Sequence, residues 1–390
     1  MIVVAVVSLL AWLYLALLHG GWWRTEPVLR PSTPNAPAPN APAPNARATG
    51  DAPPLVIVVP ARDEAPTIAA AIASLLAQDY SGRLRVVLVD DESSDDTAGA
   101  ARALPGAERL MVLRGTPRPP GWAGKLWAVS QGIAASDETL ILLTDADIVH
   151  DPGHASALLA AMRAGELGMV SGMVALRCES MAERALIPAF VHFFQMLYPF
   201  RWVNDRGRRT AAAAGGTILI RRDALEAAGG IEAIGDALID DVALARTVKP
   251  HAPIALLHTA LARSVRPYPA WRDIGRMIAR SAYVQLRNSP TLLVGTLLGL
   301  ALLFVAPPAL ALAGHGAARL TGLVAWLLMA ATYLPSLRRY HRSWLWAPLL
   351  PLVAVFYMAA TIAAALAHHR GQGVRWKSRA YTGATHGGTA

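Results

Sequence analysis

The sequence predicts an α/β fold with a doubly wound parallel sheet, set between membrane segments. Three features carry that expectation. Strand-like apolar runs alternate with amphipathic helix-like ones, apolar stretches of spanning length lie toward both ends, and charged residues gather just after the strand-like runs. With 54% hydrophobic and 16% charged residues in 390, the chain is too apolar for an ordinary soluble enzyme and must meet a membrane.

From the amino end, Ile2 to Leu18 is an apolar run interrupted only by Ser8, short for a span but within range. No basic region precedes it and no small-residue cleavage pattern follows, so residues 1–23 read as an uncleaved anchor with Trp22 and Trp23 at the interface. Residues 24–54 contain "NAPAP" twice and read as a stiff polyproline-like tether. The segments "PPLVIVVPARDEAPTIAAAIASLLAQDY" and "RLRVVLVDDESSDDTAGAARAL" each give a buried strand, a polar turn and a helix, so residues 55–290 read as the sheet domain. In 291–369, the stretches Thr291 to Gly314, Leu320 to Leu337 and Trp344 to Ala367 each approach or reach spanning length. Pro307 and Pro308 break the first and could make it re-entrant, provided other groups satisfy the freed carbonyls. Residues 370–390 form a basic tail.

In a doubly wound sheet, ligands bind beyond the carboxyl ends of the strands, where Arg62, Asp63, Glu64, Asp90, Asp91, Asp145 and Asp147 would gather. Asp145-Ala146-Asp147 closes the run "TLILLTDADI"; on an extended chain its two carboxylates leave one face and can hold a hard divalent cation that in turn binds a diphosphate. The competing reading is a solvated turn. An excess of 36 Lys and Arg over 27 Asp and Glu gives +9, and with no nucleic-acid module in the chain the membrane surface is the better partner. Arg201, Arg206, Arg208 and Arg209 follow the aromatic stretch "IPAFVHFFQMLYPFRW", which fits either an interfacial helix or a core helix followed by a solvated loop. The single cysteine, Cys178, excludes an internal disulfide, fits a reducing compartment and reads as a buried structural thiol.

In order, "VVPARDEAPTIAAAIASLLAQDY", "VLVDDESSDDTAGAA", "GWAGKLWAVSQGI", "LLTDADI", "GGTILIRRDALEAAGGI" and "IDDVALARTVK" resemble the family 2 glycosyltransferases of GT-A fold, over roughly residues 53 to 290. The tether, "GWAGKLWA" and the three C-terminal apolar segments resemble, more narrowly, the bacterial hopanoid-biosynthesis-associated glycosyltransferases. The resemblance implies inverting transfer of a sugar from a nucleotide diphosphate donor, most commonly a UDP-sugar, with Mg2+ or Mn2+ as cofactor and a lipid acceptor.

It places Pro60, Arg62, Glu64, Asp90 and Asp91 on the donor, Asp145 and Asp147 on the ribose and the metal, and Asp147 in direct contact with the cation. Helix capping is the competing role of "DESSDDT". Lys125 begins a helix, where the macrodipole disfavours a cation; that misfit points to a nearby anion, the diphosphate, unless the lysine is simply solvated. In "GDALIDDVALARTVK" the family pattern makes the second acid, Asp241, the base, with Asp240 in place of the usual Glu and Asp236 as an outside candidate. Gly215, Gly216 and Thr217 fall where the family binds acceptor.

The family's Gln-x-x-Arg-Trp element is displaced. By position it corresponds to Met277 through Ser281, keeping only Arg280; by chemistry it matches Gln372 through Trp376, with Arg375 for the diphosphate and Trp376 for an acceptor face. Arg24 and Arg30 after the first span place the catalytic domain in the cytoplasm of a multi-pass bacterial inner-membrane protein. Three further complete spans would put the tail outside, whereas a re-entrant first segment would bring Trp376 to the catalytic side. Four basic residues within 370–379 favour a cytoplasmic tail. A nicotinamide dehydrogenase is disfavoured because "PARDEAP" stands where a glycine-rich turn is needed. A transporter or scaffold would keep polar residues in its spans or lack the carboxylates, and a polymer-extruding synthase would want more spans.

Overall fold

The structure, a computed structural model, describes residues 1–31, 52–371, 374–376 and 379–381. Most of the tether and the end of the tail lie outside the described residues. The chain forms two compact units: 27–176 with 203–266, and 1–26 with 177–202 and 267–390.

The first unit is a sheet of eight strands. In chain order they are β1 (Leu55–Ala61), β2 (Leu84–Asp90), β3 (Leu110–Arg114), β4 (Leu140–Thr144), β5 (Ile148–His150), β6 (Met169–Ala175), β7 (Thr217–Arg221) and β8 (Ile254–Ser264). In space the order is β3-β2-β1-β4-β7-β6-β8-β5. Every residue of β1 and β4 is buried, because helices cover both faces and continuous apolar runs are what such central strands need. The helix Gly124–Ala134 lies so close to the sheet that a Cβ at Gly132 would meet Val58 Cγ1 at 2.5 Å. β1, β2, β3 and β4 pair in parallel, as expected. The far half does not follow the all-parallel expectation: β7 runs antiparallel to both β4 and β6, and β5 antiparallel to β8. Apolar patterning marks a strand without fixing its direction.

The second unit is helical. Among the described residues, three helices are long and apolar enough to cross a bilayer: Pro290–Ala313, Gly316–Arg339 and Trp344–His369. Val294, Leu298, Leu312 and Leu327 are exposed on them, as lipid-facing side chains would be. The amino-terminal helix, Ile2–Leu17, has 16 residues and spans roughly 24 Å, short of the roughly 30 Å hydrocarbon thickness.

Pro307 and Pro308 do not break their helix. A π-type turn at Ala301–Val305 precedes them and the helix continues to Ala313. The carbonyl groups freed there are satisfied from the amino-terminal helix: Ser8 Oγ donates to Leu302 O at 2.9 Å, and Trp12 Nε1 to Leu303 O at 2.7 Å. Trp12 also meets Phe304 edge-on, with ring centroids 5.4 Å apart. The helix is therefore continuous through both prolines, with outside donors for the freed carbonyls. Trp22 is buried, contrary to its interfacial reading: its indole donates to Leu15 O at 2.7 Å and that of Trp23 to Ala16 O at 2.8 Å, closing the open end of the helix.

The aromatic stretch falls in two helices, Met181–Leu197, opened by a capping box of Ser180 and Glu183, and the short Phe200–Asn204. Ile187, Val191 and His192 are fully buried, so the core reading describes the longer helix, although Met181 and Leu197 at its ends are exposed. Cys178 is half-buried, not enclosed; its thiol lies 3.7 Å from Glu183 O, and burial pushes its pKa up to about 11.

Candidate active site

Parallel register brings the ends of three strands to one edge, with Ala61 opposite Asp90 and Val58 opposite Leu143. The antiparallel β7 enters at that same edge, since its first residue, Thr217, pairs with Thr144. Residues from 61–64, 90–91, 145–147 and 215–217 thus share one rim.

Asp63 and Glu92 adopt left-handed backbone, with φ of 50° and 53°, where the chain turns sharply off β1 and β2. Asp63 Oδ1 accepts from Ser94 N at 2.7 Å, and Asp90 Oδ1 from Ser93 N at 3.0 Å. Asp91 is fully buried; its carboxylate lies 3.7 Å from Arg62 Nη1, and its carbonyl also accepts from that guanidinium. Asp91 therefore holds Arg62, while the half-buried Asp90 is nearer the surface.

Asp145-Ala146-Asp147 forms a turn, closed by Ile148 N donating to Asp145 O at 3.2 Å, in place of the extended pair expected. Ala146 is buried, and the two carboxylates engage different cations. Asp145 Oδ1 lies 2.7 Å from Lys125 Nζ. Asp147 Oδ2 accepts from Arg266 Nε at 2.9 Å and from Ser264 Oγ at 3.0 Å. Arg266 Nη2 reaches Glu64 Oε1 at 2.6 Å.

Lys125 also pairs with Asp240 Oδ2 at 2.9 Å, so two carboxylates answer the cation at this unfavourable helix start. Burial would lower the Lys125 pKa, but the charges of Asp145 and Asp240 override it and hold it above the ordinary value. Asp145 is raised by burial and by the charges of Asp147 and Asp240, with Lys125 opposing.

Asp240 and Asp241 open the helix Asp240–Val248. Asp241 Oδ2 accepts from Gly215 N at 2.9 Å and Oδ1 from Val242 N at 2.7 Å. A Cβ on Gly215 would stand 3.4 Å from that Oδ2 and 3.6 Å from Lys125 Nζ, an ordinary contact distance, so the approach does not itself require glycine. Burial, and then the charge of Asp240, raise the Asp241 pKa to about 6 against the pull of Lys125 and two backbone donors. Pro60, Lys125, Asp145, Gly215, Asp240 and Asp241 line one cleft, walled by Ile231, Ile234 and Leu244.

Thr217 is fully buried and its Oγ1 lies 3.1 Å from His154 Nε2, so it faces the interior of the sheet. Asp236 is exposed and does not line that cleft. Arg280 is an exposed residue of the helix Trp271–Gln285, and Trp376 falls in a short strand, 374–376, paired antiparallel with 379–381; both belong to the helical unit. Sequence reasoning missed Arg266. Its place beside Asp147 follows from the pairing of Ile148 with Ser264, which no local pattern announces.

Among the described residues no group of three or more His, Cys, Asp or Glu is arranged to enclose a metal ion. The donor set nevertheless fits a hard divalent cation, because Mg2+-type ions are commonly held by one or two carboxylates and completed by substrate phosphates and water. Asp145 and Asp147, on the one turn after β4, are the carboxylates that would hold it.

A Rossmann-like mixed sheet with an acidic carboxyl edge and a lysine between two of the carboxylates forms a cleft suited to catalysis on an anionic ligand. The profile of glycosyl transferase family 21 matches residues 3–389, and the chain belongs to that family. It is a glycosyltransferase. It is 40% identical over 104 residues to the succinoglycan biosynthesis protein ExoU of Rhizobium meliloti, covering 26% of this chain and 29% of that protein. It is 31% identical over 125 residues to an N-acetylglucosaminyltransferase of Azorhizobium caulinodans, covering 31% of this chain and 30% of that one. The matches thus span under a third of these relatives' length. Among solved structures, the mannosyltransferase PcManGT of Pyrobaculum calidifontis, in complex with GDP-Man and Mn2+, shares the fold with a TM-score of 0.53 at 19% identity, over 93% of this chain and 98% of that one.

Proposed function

We propose that this membrane-associated glycosyltransferase moves a sugar from a nucleotide diphosphate donor, a UDP-sugar, to the hydroxyl of a lipid acceptor by a single inverting displacement. The observation that carries the reading is Asp241. It lies in the same cleft as the Lys125–Asp145 pair, its pKa is raised to about 6, and Gly215 N and Val242 N fix its orientation. A base titrating just below working pH is ionised yet still basic enough to take a hydroxyl proton.

In this reading the acceptor oxygen forms its bond to the sugar carbon as the bond to the diphosphate oxygen breaks. The hydroxyl proton passes to Asp241, and the electron pair leaves with the diphosphate. Lys125 supplies positive charge near the leaving oxygens, with Asp145 and Asp240 keeping it protonated. A divalent cation bound by Asp145 and Asp147 would neutralise the departing diphosphate. The backbone of Gly215 and Gly216 borders the acceptor, and Asp240 holds Lys125 while Asp241 takes the proton. Arg62, Glu64, Asp90 and Asp91 shape the nucleotide side of the rim.

An apolar acceptor is favoured by the three long apolar helices, and a hopanoid is the lipid the sequence resemblance names. The name of one relative, a succinoglycan biosynthesis protein, favours the alternative of a saccharide acceptor. Product extraction separates the two, since sugar transferred to lipid partitions into organic solvent. We place the catalytic region in the cytoplasm of a bacterial inner membrane. Three crossings after it would put the tail, with Arg375 and Trp376, on the opposite face.

The direct test is Asp241→Asn in purified protein. Donor binding persists while transfer falls at least about a hundredfold, the usual contribution of a positioned base. If Asp240→Asn gives that phenotype instead, the roles of the pair are exchanged. If neither does, the mechanism fails.

A further inference from the structure

Arg266 has no role in the reaction as written, yet it joins three elements of the rim: Glu64 beyond β1, Asp147 beyond β4, and its own segment beyond β8. Its side chain is 29% exposed whereas those of Glu64 and Asp147 are 9% and 11% exposed, so the guanidinium covers the two carboxylates from the solvent side. Asp147 Oδ2, the oxygen it grips, belongs to one of the two carboxylates that the donor reading above gives to the divalent cation. The lysine on the other side does the same for Asp145 and Asp240, so in these two ion-pair groups four carboxylates share two cations. The net of two negative charges equals the charge of one divalent ion. An arriving diphosphate supplies the converse, tetrahedral phosphoryl groups whose anionic oxygens a guanidinium fork can bind in pairs.

We propose that Arg266 is the resident counter-ion of the donor site: it holds Asp147 and Glu64 while the site is empty, then yields Asp147 to the divalent cation and transfers its own charge to the diphosphate. This rests on the donor reading above. It makes Arg266 a competitor of the free metal and an ally of the metal–nucleotide pair, so metal and nucleotide bind together more readily than either does alone. Loading with metal in the absence of nucleotide is thereby resisted. Ser264, which donates to the same carboxylate oxygen, keeps Asp147 oriented through the exchange.

The test measures Mn2+ binding to the full-length protein in detergent, from the decline of the free-ion paramagnetic signal, with and without UDP. Without nucleotide, Arg266→Gln should bind Mn2+ at least about tenfold more tightly than the natural protein, as removal of one charge-assisted bond implies. With Mn2+ saturating, it should bind UDP at least about tenfold more weakly. Mn2+ should also raise its unfolding temperature by more than that of the natural protein. Arg266→Lys keeps the charge but loses the fork, and should be intermediate in both affinities; it decides the matter if the glutamine variant does not fold. Mn2+ affinity unchanged or lowered in the variants overturns the proposal. Sugar transfer assayed in parallel separates the two claims: transfer intact with no change in metal affinity sinks only the counter-ion role, while a natural protein that transfers no sugar sinks the donor reading itself.

Discussion

Asp241 should impose an acid limb on kcat/KM, and the neighbours that set its pKa should move that limb in opposite directions. With a pKa of about 6, roughly a tenth of the enzyme carries the ionised base at pH 5, so kcat/KM should fall about tenfold there from its plateau. An ordinary aspartate, near ~3.9, would remain over about nine-tenths ionised at that pH. Burial is the largest cause of the raised value, the Asp240 charge adds to it, and Lys125 opposes it. Lys125→Met should therefore shift the limb to higher pH and Asp240→Asn to lower pH. The plateau also drops in both variants, because these residues serve the donor, but the position of the limb is read independently of its height. The assay is initial-rate transfer from the UDP-sugar between pH 4.5 and 8.5, at saturating Mn2+ so that metal affinity does not shape the profile. The same group has a sign in stability. Its folded pKa lies above its unfolded one, so its contribution falls as pH rises from about 4 through about 6. Asp241→Asn should accordingly gain thermal stability relative to the natural protein between pH 4 and pH 8. A profile flat down to pH 5, or a limb that Lys125→Met leaves in place, refutes the assignment.

Three further outcomes are expected. Chelation, or Asp147→Ala, should abolish UDP-sugar turnover and metal-dependent UDP binding, and undiminished turnover in either case would remove the metal from the reaction. Trp12→Phe should lower stability in detergent by about 1–3 kcal/mol, the cost of leaving the Leu303 carbonyl without its donor, and an unchanged unfolding temperature would show that the π-type turn needs no outside partner. A cysteine at Ser378, in a Cys178→Ser background, should react with a membrane-impermeant thiol reagent in intact cells if all three long helices cross; protection would return the basic tail to the catalytic side.

Much of this was legible in the chain. The strands β1, β2 and β4 could be read because their apolar runs end in charged turns, and a parallel half-sheet follows from strands separated by helices. The rim residues from Arg62 to Asp147 could be placed for the same reason. The direction of β7 could not be read, since residues of the helical unit intervene before it, and with it went the reason Gly215 meets Asp241. Arg266 was invisible because its partners lie 119 and 202 residues away and meet it only through register. Lys125 was half legible: its unfavourable helix position pointed to an anion, but the chain could not say that the anions present are Asp145 and Asp240. At Pro307 the sequence showed the missing donors and not their replacements, because Ser8 and Trp12 come from the far end of the chain.

The central claim, one displacement assisted by one base, is tested most directly by the anomeric configuration of the product. Sugar transferred by the purified enzyme should carry the configuration opposite to that of the donor, by nuclear magnetic resonance of the isolated glycoside. Retention of the donor configuration would require a different mechanism and would contradict the role given to Asp241.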